Sequence, residues 1–512
     1  MKKIITLSVL LFAGFSFAQT TQNETAMKYA ETITIEDMKE DLTILASDAL
    51  EGRETGKRGQ KMAAAYIKAH FEELGLVGPV KDGPNPYYQN VVLKSSKPGD
   101  IYVKIGDTKL KNLEKVLYYG NLTVENEATT EVVFVGAGTE DDFSSVDVKG
   151  KSVLLFNESR GGRSKAMKLA YKKGAKMVFI LRTTSEEDFA KMFKMFTNYF
   201  AKGSLGLADD DNKEQSSVGA FYLSPSQAEE IFGKSVDKLT KAITDKENGK
   251  KNALKKIKPG KVSFKVGFDS KEIISENVLG FLEGSDLKDE VLVLTAHYDH
   301  LGIGKDGQIY NGADDDGSGT VAVMDIAEAF VKAKADGNGP RRSILFMMVT
   351  GEEKGLLGSA YYANNPIFSL ESTVADLNID MIGRIDDRDL ENKSYVSLVG
   401  ADKLSTELHE ISERANELYT NMFLDYTYND PNHPERIYYR SDHWNFAKNG
   451  IPVIFYTTGS HPDYHKPSDT VDKIEFELMT KRAKLVFYTA WEIVNRDGRL
   501  IVDKEMDPNE KR

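Results

Sequence analysis

The chain has no cysteine in 512 residues. That excludes disulfides, thiolate metal sites, iron–sulfur clusters and a cysteine nucleophile. Any metal must be held by the eight histidines and the carboxylates. There is no surplus of basic charge either: 67 lysines and arginines face 79 acidic residues, a net of −12. Without a basic face to neutralise phosphates, nucleic acid is not an expected partner. No apolar run reaches the roughly 20 residues needed to span a bilayer. The run from Ile4 to Phe17 follows Lys2-Lys3 and exits through Ser16-Phe17-Ala18. A basic start, a short apolar stretch and a small-x-small exit predict a signal peptide over 1–18, with export to the periplasm or the medium. What is present, 40% hydrophobic and 29% charged residues, is ordinary globular composition with length for two to four domains.

Residues 34–50 and 60–74 read as two amphipathic helices, the second stopped by Gly75, and Pro79, Gly83, Pro84 and Pro86 then break the periodicity. Short β-rich runs occupy 110–262, among them Glu131–Val135 and Ser152–Phe156, with a helix near Ser164–Lys173. A lysine-crowded stretch, read as a solvated face, ends at Pro259-Gly260 as a domain exit. From 270 on, strand-like runs (Asn277–Leu282, Val291–Ala296, Ser343–Val349, Ala375–Asp380, Tyr395–Val399, Val453–Tyr456) alternate with helical periodicity. That alternation predicts an α/β three-layer sandwich around a mostly parallel central sheet. The domains so read are 25–109 with 263–500 as one catalytic body, and 110–262 as an insertion.

The polar residues that matter cluster at strand ends, where open α/β sheets bind ligands. They are His297-Tyr298-Asp299-His300, Gly312-Ala313-Asp314-Asp315-Asp316, Gly351-Glu352-Glu353, Asp380-Met381 and Asp463-Tyr464-His465. Burying that many carboxylates is costly unless a cation binds them. A pair of cations is the cheapest explanation.

The ordered set His297-x-Asp299, Asn311-Gly312-Ala313-Asp314-Asp315, Gly351-Glu352-Glu353, Asn378-x-Asp380-Met381 and Tyr464-His465-x-Pro467-x-Asp469 resembles the motifs of the co-catalytic zinc aminopeptidases. That superfamily also holds glutamate carboxypeptidase II, glutaminyl cyclase and the transferrin receptor. The resemblance covers roughly 270–495, plus Leu50-Glu51-Gly52-Arg53 upstream. It implies an exopeptidase acting on peptides with two zinc ions per chain. His297, Asp314 and Asp380 would hold one zinc, and Asp314, Glu353 and His465 the other, with Asp314 bridging. Glu352 would be the general base, and Asp299 would hydrogen-bond the far nitrogen of His297. The Asp314–Asp315 peptide would be cis. Tyr438, by its offset from Ser441, would bring a phenol to the tetrahedral intermediate. The same metal core serves dipeptidases and carboxypeptidases, which stay open as an alternative; a cyclase or a metal-free receptor-like protein fits less well, because every expected ligand position is filled. The 110–262 region resembles a protease-associated domain, through Val133-x-Val135-Gly136 and Asp147–Leu155.

His461 is near enough to rival His465, but the Tyr-His-x-Pro-x-Asp pattern favours His465. His300, His409, His433 and His443 lack a matching context as ligands. Gly302-Ile303-Gly304-Lys305-Asp306-Gly307 imitates a nucleotide loop, yet no helix opens after it. Asp314-x-Asp316-x-Ser318 imitates a calcium loop, yet a helix begins inside it.

Overall fold

A computed structural model describes residues 21–208, 218–251, 253–388, 391–430 and 432–506. The signal segment 1–18 lies outside the described residues. The chain forms two compact units, one from the segments up to Val91 and from Ser275 onward, the other from Val92–Ile274.

In the first unit the apolar runs become strands within a few residues of their predicted limits: Leu287–His297, Arg342–Val349, Thr373–Ile379, Tyr395–Val399 and Val453–Thr457. Side chains alternate across a strand, so each run feeds two cores. Leu292, Leu294, Ile344, Phe346, Ala375 and Leu377 go to one face. Val291, Val293, Leu345 and Met347 go to the other. With both faces covered, the strands can be apolar throughout, as buried parallel strands are. Helices Glu24–Ala30, Ile35–Leu45, Gly319–Ala335 and Phe476–Asn495 pack together and share the first core. Residues of the short helices Leu357–Asn364 and His443–Ala447 join the second. The result is the expected α/β sandwich on a mostly parallel sheet.

Four strands lie side by side and parallel, in the order Arg342–Val349, Leu287–His297, Thr373–Ile379, Val453–Thr457. An antiparallel neighbour flanks each side of this set, Gly260–Leu282 and Tyr395–Val399. Among the described residues no helix is long and apolar enough to cross a membrane.

The second unit is wider at both ends than the 110–262 insertion read from the sequence. Pro259-Gly260 does not close it: Gly260 opens the strand Gly260–Leu282, which runs past the unit boundary. The unit is also less purely β than its short apolar runs suggest. Val124–Phe134, Ser152–Phe156, Val178–Leu181 and Gly219–Leu223 are parallel neighbours. Helices Arg160–Lys172, Pro225–Phe232 and Val236–Glu247 supply residues to its two cores. The first part of the lysine-rich stretch, Val236–Glu247, is helix because Val236, Leu239 and Ala242 give it a buried stripe at helical spacing.

Candidate metal centre

The four parallel strands end on one edge of their sheet. Glu352 and Glu353, His297, Asp380, and the His461–His465 segment follow them in the same spatial order as the strands. The loop 313–318, between the His297 strand and helix Gly319–Ala335, brings carboxylates to that edge, as open sheets do where ligands bind.

His297 Nε2 stands 3.3 Å from Asp315 Oδ1, 3.6 Å from Asp380 Oδ1 and 3.8 Å from Glu352 Oε2. His465 Nε2 stands 3.1 Å from Asp315 Oδ2 and 3.3 Å from Glu353 Oε2. Asp315 therefore offers one oxygen to each histidine, in the bridging place that the sequence reading gave to Asp314.

Asp314 points elsewhere. Its Oδ1 accepts from Ser318 Oγ at 2.9 Å and from Gly383 N–H at 2.6 Å, while its Oδ2 lies 3.2 Å from His461 Nε2. Neighbouring side chains leave the backbone in different directions, so only one of three consecutive aspartates can face both histidines. Asp469 fixes which one, because its carboxylate accepts the N–H groups of Asp314 and Asp315 at 3.1 and 3.2 Å. The cis peptide is accordingly Asp315–Asp316, one bond later than expected. His461 belongs with Asp314, outside the His297–His465 cluster.

The third aspartate is a brace that sequence reasoning missed. Asp316 accepts N–H bonds from His297, Gly319 and Met381 at 3.2, 2.8 and 3.1 Å, tying together three segments of the site. Ser441 donates to Asp380 Oδ2 at 2.7 Å and accepts from Asn378 Nδ2 at 2.9 Å, which aims Asp380 Oδ1 at His297.

Asp299 supports His297, though through its backbone: His297 Nδ1 lies 3.0 Å from the Asp299 carbonyl and 3.9 Å from its carboxylate. A carbonyl can only accept, so Nδ1 carries the proton and Nε2 keeps its lone pair for the cluster. The Asp299 carboxylate instead accepts from Thr55 Oγ1 at 2.6 Å and from Glu352 N–H at 3.1 Å. It steadies the backbone that carries the predicted base.

Tyr438 does not line the cavity beside the cluster. Its ring is buried against Tyr439, His443 and Trp444. The short helix Ile437–Tyr439 turns Ile437 and the following Arg440 toward the cavity. The cavity tyrosine is Tyr464, whose ring stacks on His465 at 3.9 Å. Met381, Ile437 and Phe455 give the wall its apolar part.

The charges of the cluster describe a place for cations. Burial pushes Asp315 up, but His300, His297 and His465 outweigh it and hold this carboxyl well below its usual range. Burial, with Asp380 and Glu353 nearby, pushes Glu352 well above its own. Burial opposes protonation of His465, yet Asp315 and Glu353 raise it to about 10. Buried Asp315 Oδ2 and Glu353 Oε1 make no hydrogen bond. His297, Asp316 and Asp380 offer ligand atoms within 4.8 Å of one another, and so do His300, Asp315 and Glu353. Imidazole and carboxylate together suit zinc, so these residues fit the ion that the sequence resemblance implies.

Residues 277–490 match the model of Peptidase family M28. Among similar proteins, the "Aminopeptidase YwaD" of Bacillus subtilis is 24% identical over 462 residues, covering 88% of this chain and 84% of that protein. The "Probable leucine aminopeptidase" of Arthroderma otae is 31% identical over 211 residues, 40% of this chain and 54% of that protein. The "Probable glutamate carboxypeptidase AMP1" of Arabidopsis thaliana is 26% identical over 341 residues, 62% and 47%. The chain thus spans about half the length of the fungal and plant relatives. In structure it shares the fold of the aminopeptidase from Aneurinibacillus sp. strain AM-1, with a TM-score of 0.54 at 21% identity over 95% of this chain and all of that one.

Proposed function

We propose that the chain is an exported di-zinc aminopeptidase that removes N-terminal residues from peptides, a reading supported by the match of residues 277–490 to the model of peptidase family M28. The observation that carries this reading is Asp315 set between His297 and His465, with Glu352 beside it on an open cavity. His297, Asp315 and Asp380 would hold one ion, and Asp315, Glu353 and His465 the other. Bound there, two such ions would supply polarisation of a scissile carbonyl and acidification of water.

The chain's own residues do the rest. Glu352 takes the proton of the attacking water and returns it to the leaving amine. Asp299 keeps the Glu352 backbone in place. The adjacent glutamates divide the work: Glu353 faces His465, and Glu352 faces His297 and the cavity. Tyr464 takes over the part expected of Tyr438, as the phenol that can donate to the developing oxyanion.

A carboxypeptidase or dipeptidase on the same core is the second reading. Arg440 in the cavity wall favours it, since a guanidinium there can bind a substrate carboxylate. One experiment separates the two. A mixed peptide pool is incubated with the mature protein, with and without chelator, and read by mass spectrometry. Chelator-sensitive ladders shortened from the N-terminus, with N-acetylated peptides untouched, are expected. Shortening from the C-terminus would replace the first reading by the second.

A further inference from the structure

His300 had no motif to recommend it, yet the fold carries it into the centre. It is fully buried, three residues beyond His297. Its backbone N–H donates to the Arg53 carbonyl at 3.1 Å. Its ring packs against Gly312, where a Cβ would stand 2.6 Å from His300 Cδ2. So held, Nδ1 lies 2.9 Å from Glu353 Oε1 and 3.7 Å from Asp315 Oδ2.

At 2.9 Å a hydrogen bond is expected, but neither His300 Nδ1 nor Glu353 Oε1 makes one, and Asp315 Oδ2 makes none. Buried polar atoms are seldom left this way. Three of them lie close together here, and His300, Asp315 and Glu353 offer ligand atoms within 4.8 Å of one another, a spacing that one metal ion can share. His465 closes the group from the other side. Its Nε2 approaches Asp315 and Glu353 too, and its ring centroid is 6.0 Å from that of His300.

We propose that His300 is a fourth protein ligand at the Asp315–Glu353–His465 position, so that the two metal positions of this chain are unequal. This rests on the di-metal reading above. Two imidazoles and two carboxylates would give that position four protein donors, the number that closed zinc sites have. The other position has His297, Asp315 and Asp380, three donors with a place left over, as catalytic sites have. The cavity agrees with that division. It is lined by His297, Asp315, Asp380 and Glu352, while at the other position the side chains of His300 and Glu353 are buried and that of His465 is 38% exposed. The closed position is the tightly held one, and substrate meets the open one.

The test reads metal binding, not turnover. The full-length mature protein is stripped with chelator and titrated with zinc, and X-ray absorption at one equivalent counts the imidazoles around the ion. Two imidazoles are expected in the parent, and one in His300→Gln. The variant should bind the first equivalent about 10- to 100-fold more weakly, with the second equivalent unmoved. A single imidazole in the parent overturns the proposal, and needs no variant to fold. So does unchanged first-equivalent affinity in a His300→Gln protein whose circular dichroism matches the parent. If the parent binds no zinc, the di-metal reading fails and this one with it; if it binds two and His300 is absent from both, this one alone fails.

Discussion

At the scale of single residues, the site turns on which of several like side chains faces inward. Asp315 and Asp314 are chemically identical neighbours, and their surroundings differ completely: one sits between two histidines, the other among Ser318, Gly383 and His461. Asp315→Asn removes the negative charge that two cations would share. It should cost at least about a hundredfold in peptide hydrolysis and lower the zinc content of the dialysed protein. Asp314→Asn keeps an acceptor for Ser318 and Gly383 and should lose less on both counts; the reverse ranking would return the bridge to Asp314. Glu352→Gln keeps shape and removes basicity, so hydrolysis should fall by about 10²–10⁴ with zinc retained. Full activity in that variant would take the role of base away from Glu352.

At the scale of elements, the centre depends on loops that a buried arginine holds. Arg53 is 1% exposed, and its guanidinium donates to the carbonyls of Leu45, Tyr298, Asn311 and Gly312 at 2.7–2.9 Å. Those carbonyls belong to the end of a helix, the exit of the His297 strand and the approach to the three aspartates. The turn before it is equally confined: Gly52 has φ +65°, and a Cβ there would lie 2.3 Å from the Tyr310 carbonyl. The family resemblance took in Leu50-Glu51-Gly52-Arg53, but no pattern along the chain reveals four distant carbonyls converging on one side chain. Arg53→Met fills the volume and leaves those acceptors unpaired. It should destabilise the protein by about 3 kcal/mol or more, read as a lower urea midpoint.

At the scale of the whole molecule, the centre concentrates buried like charges that cations would neutralise, so folding and metal binding are linked. Zinc at about 100 times its dissociation constant should stabilise the chelated protein by about 2.7 kcal/mol per site, raising the calorimetric Tm; an unmoved Tm would count against native-state binding. Acid acts through a different group. His443 is buried and its proton affinity is pushed down to about 3 from an ordinary 6.5. Below pH 6.5 the unfolded chain therefore binds a proton that the folded protein refuses, and stability falls as pH falls from 6.5 toward 3. Relative to His443→Gln, the parent should lose about 1.4 kcal/mol per pH unit across that window. A constant gap between the two urea midpoints would show the imidazole charged in the folded state.

The sequence by itself determined the layered α/β architecture, because periodicity and apolar runs are local properties of the chain. Ser343–Val349 and Tyr395–Val399 fall on observed strands almost residue for residue, and Val291–Ala296 lies within Leu287–His297. It also gave the segments that carry His297, Glu352, Glu353, Asp380 and His465, since each follows a strand that the pattern marks. Tertiary structure alone decided the direction of each side chain within those segments. Asp315 rather than Asp314 faces the histidines, Tyr464 rather than Tyr438 lines the cavity, and His300 joins the cluster. Each outcome follows from a contact between segments far apart in the chain, such as Asp469 with Asp314 and Asp315, or Gly312 with the His300 ring. Spacing along one strand of sequence fixes which residues arrive at an edge; which way they point is set by what they meet there.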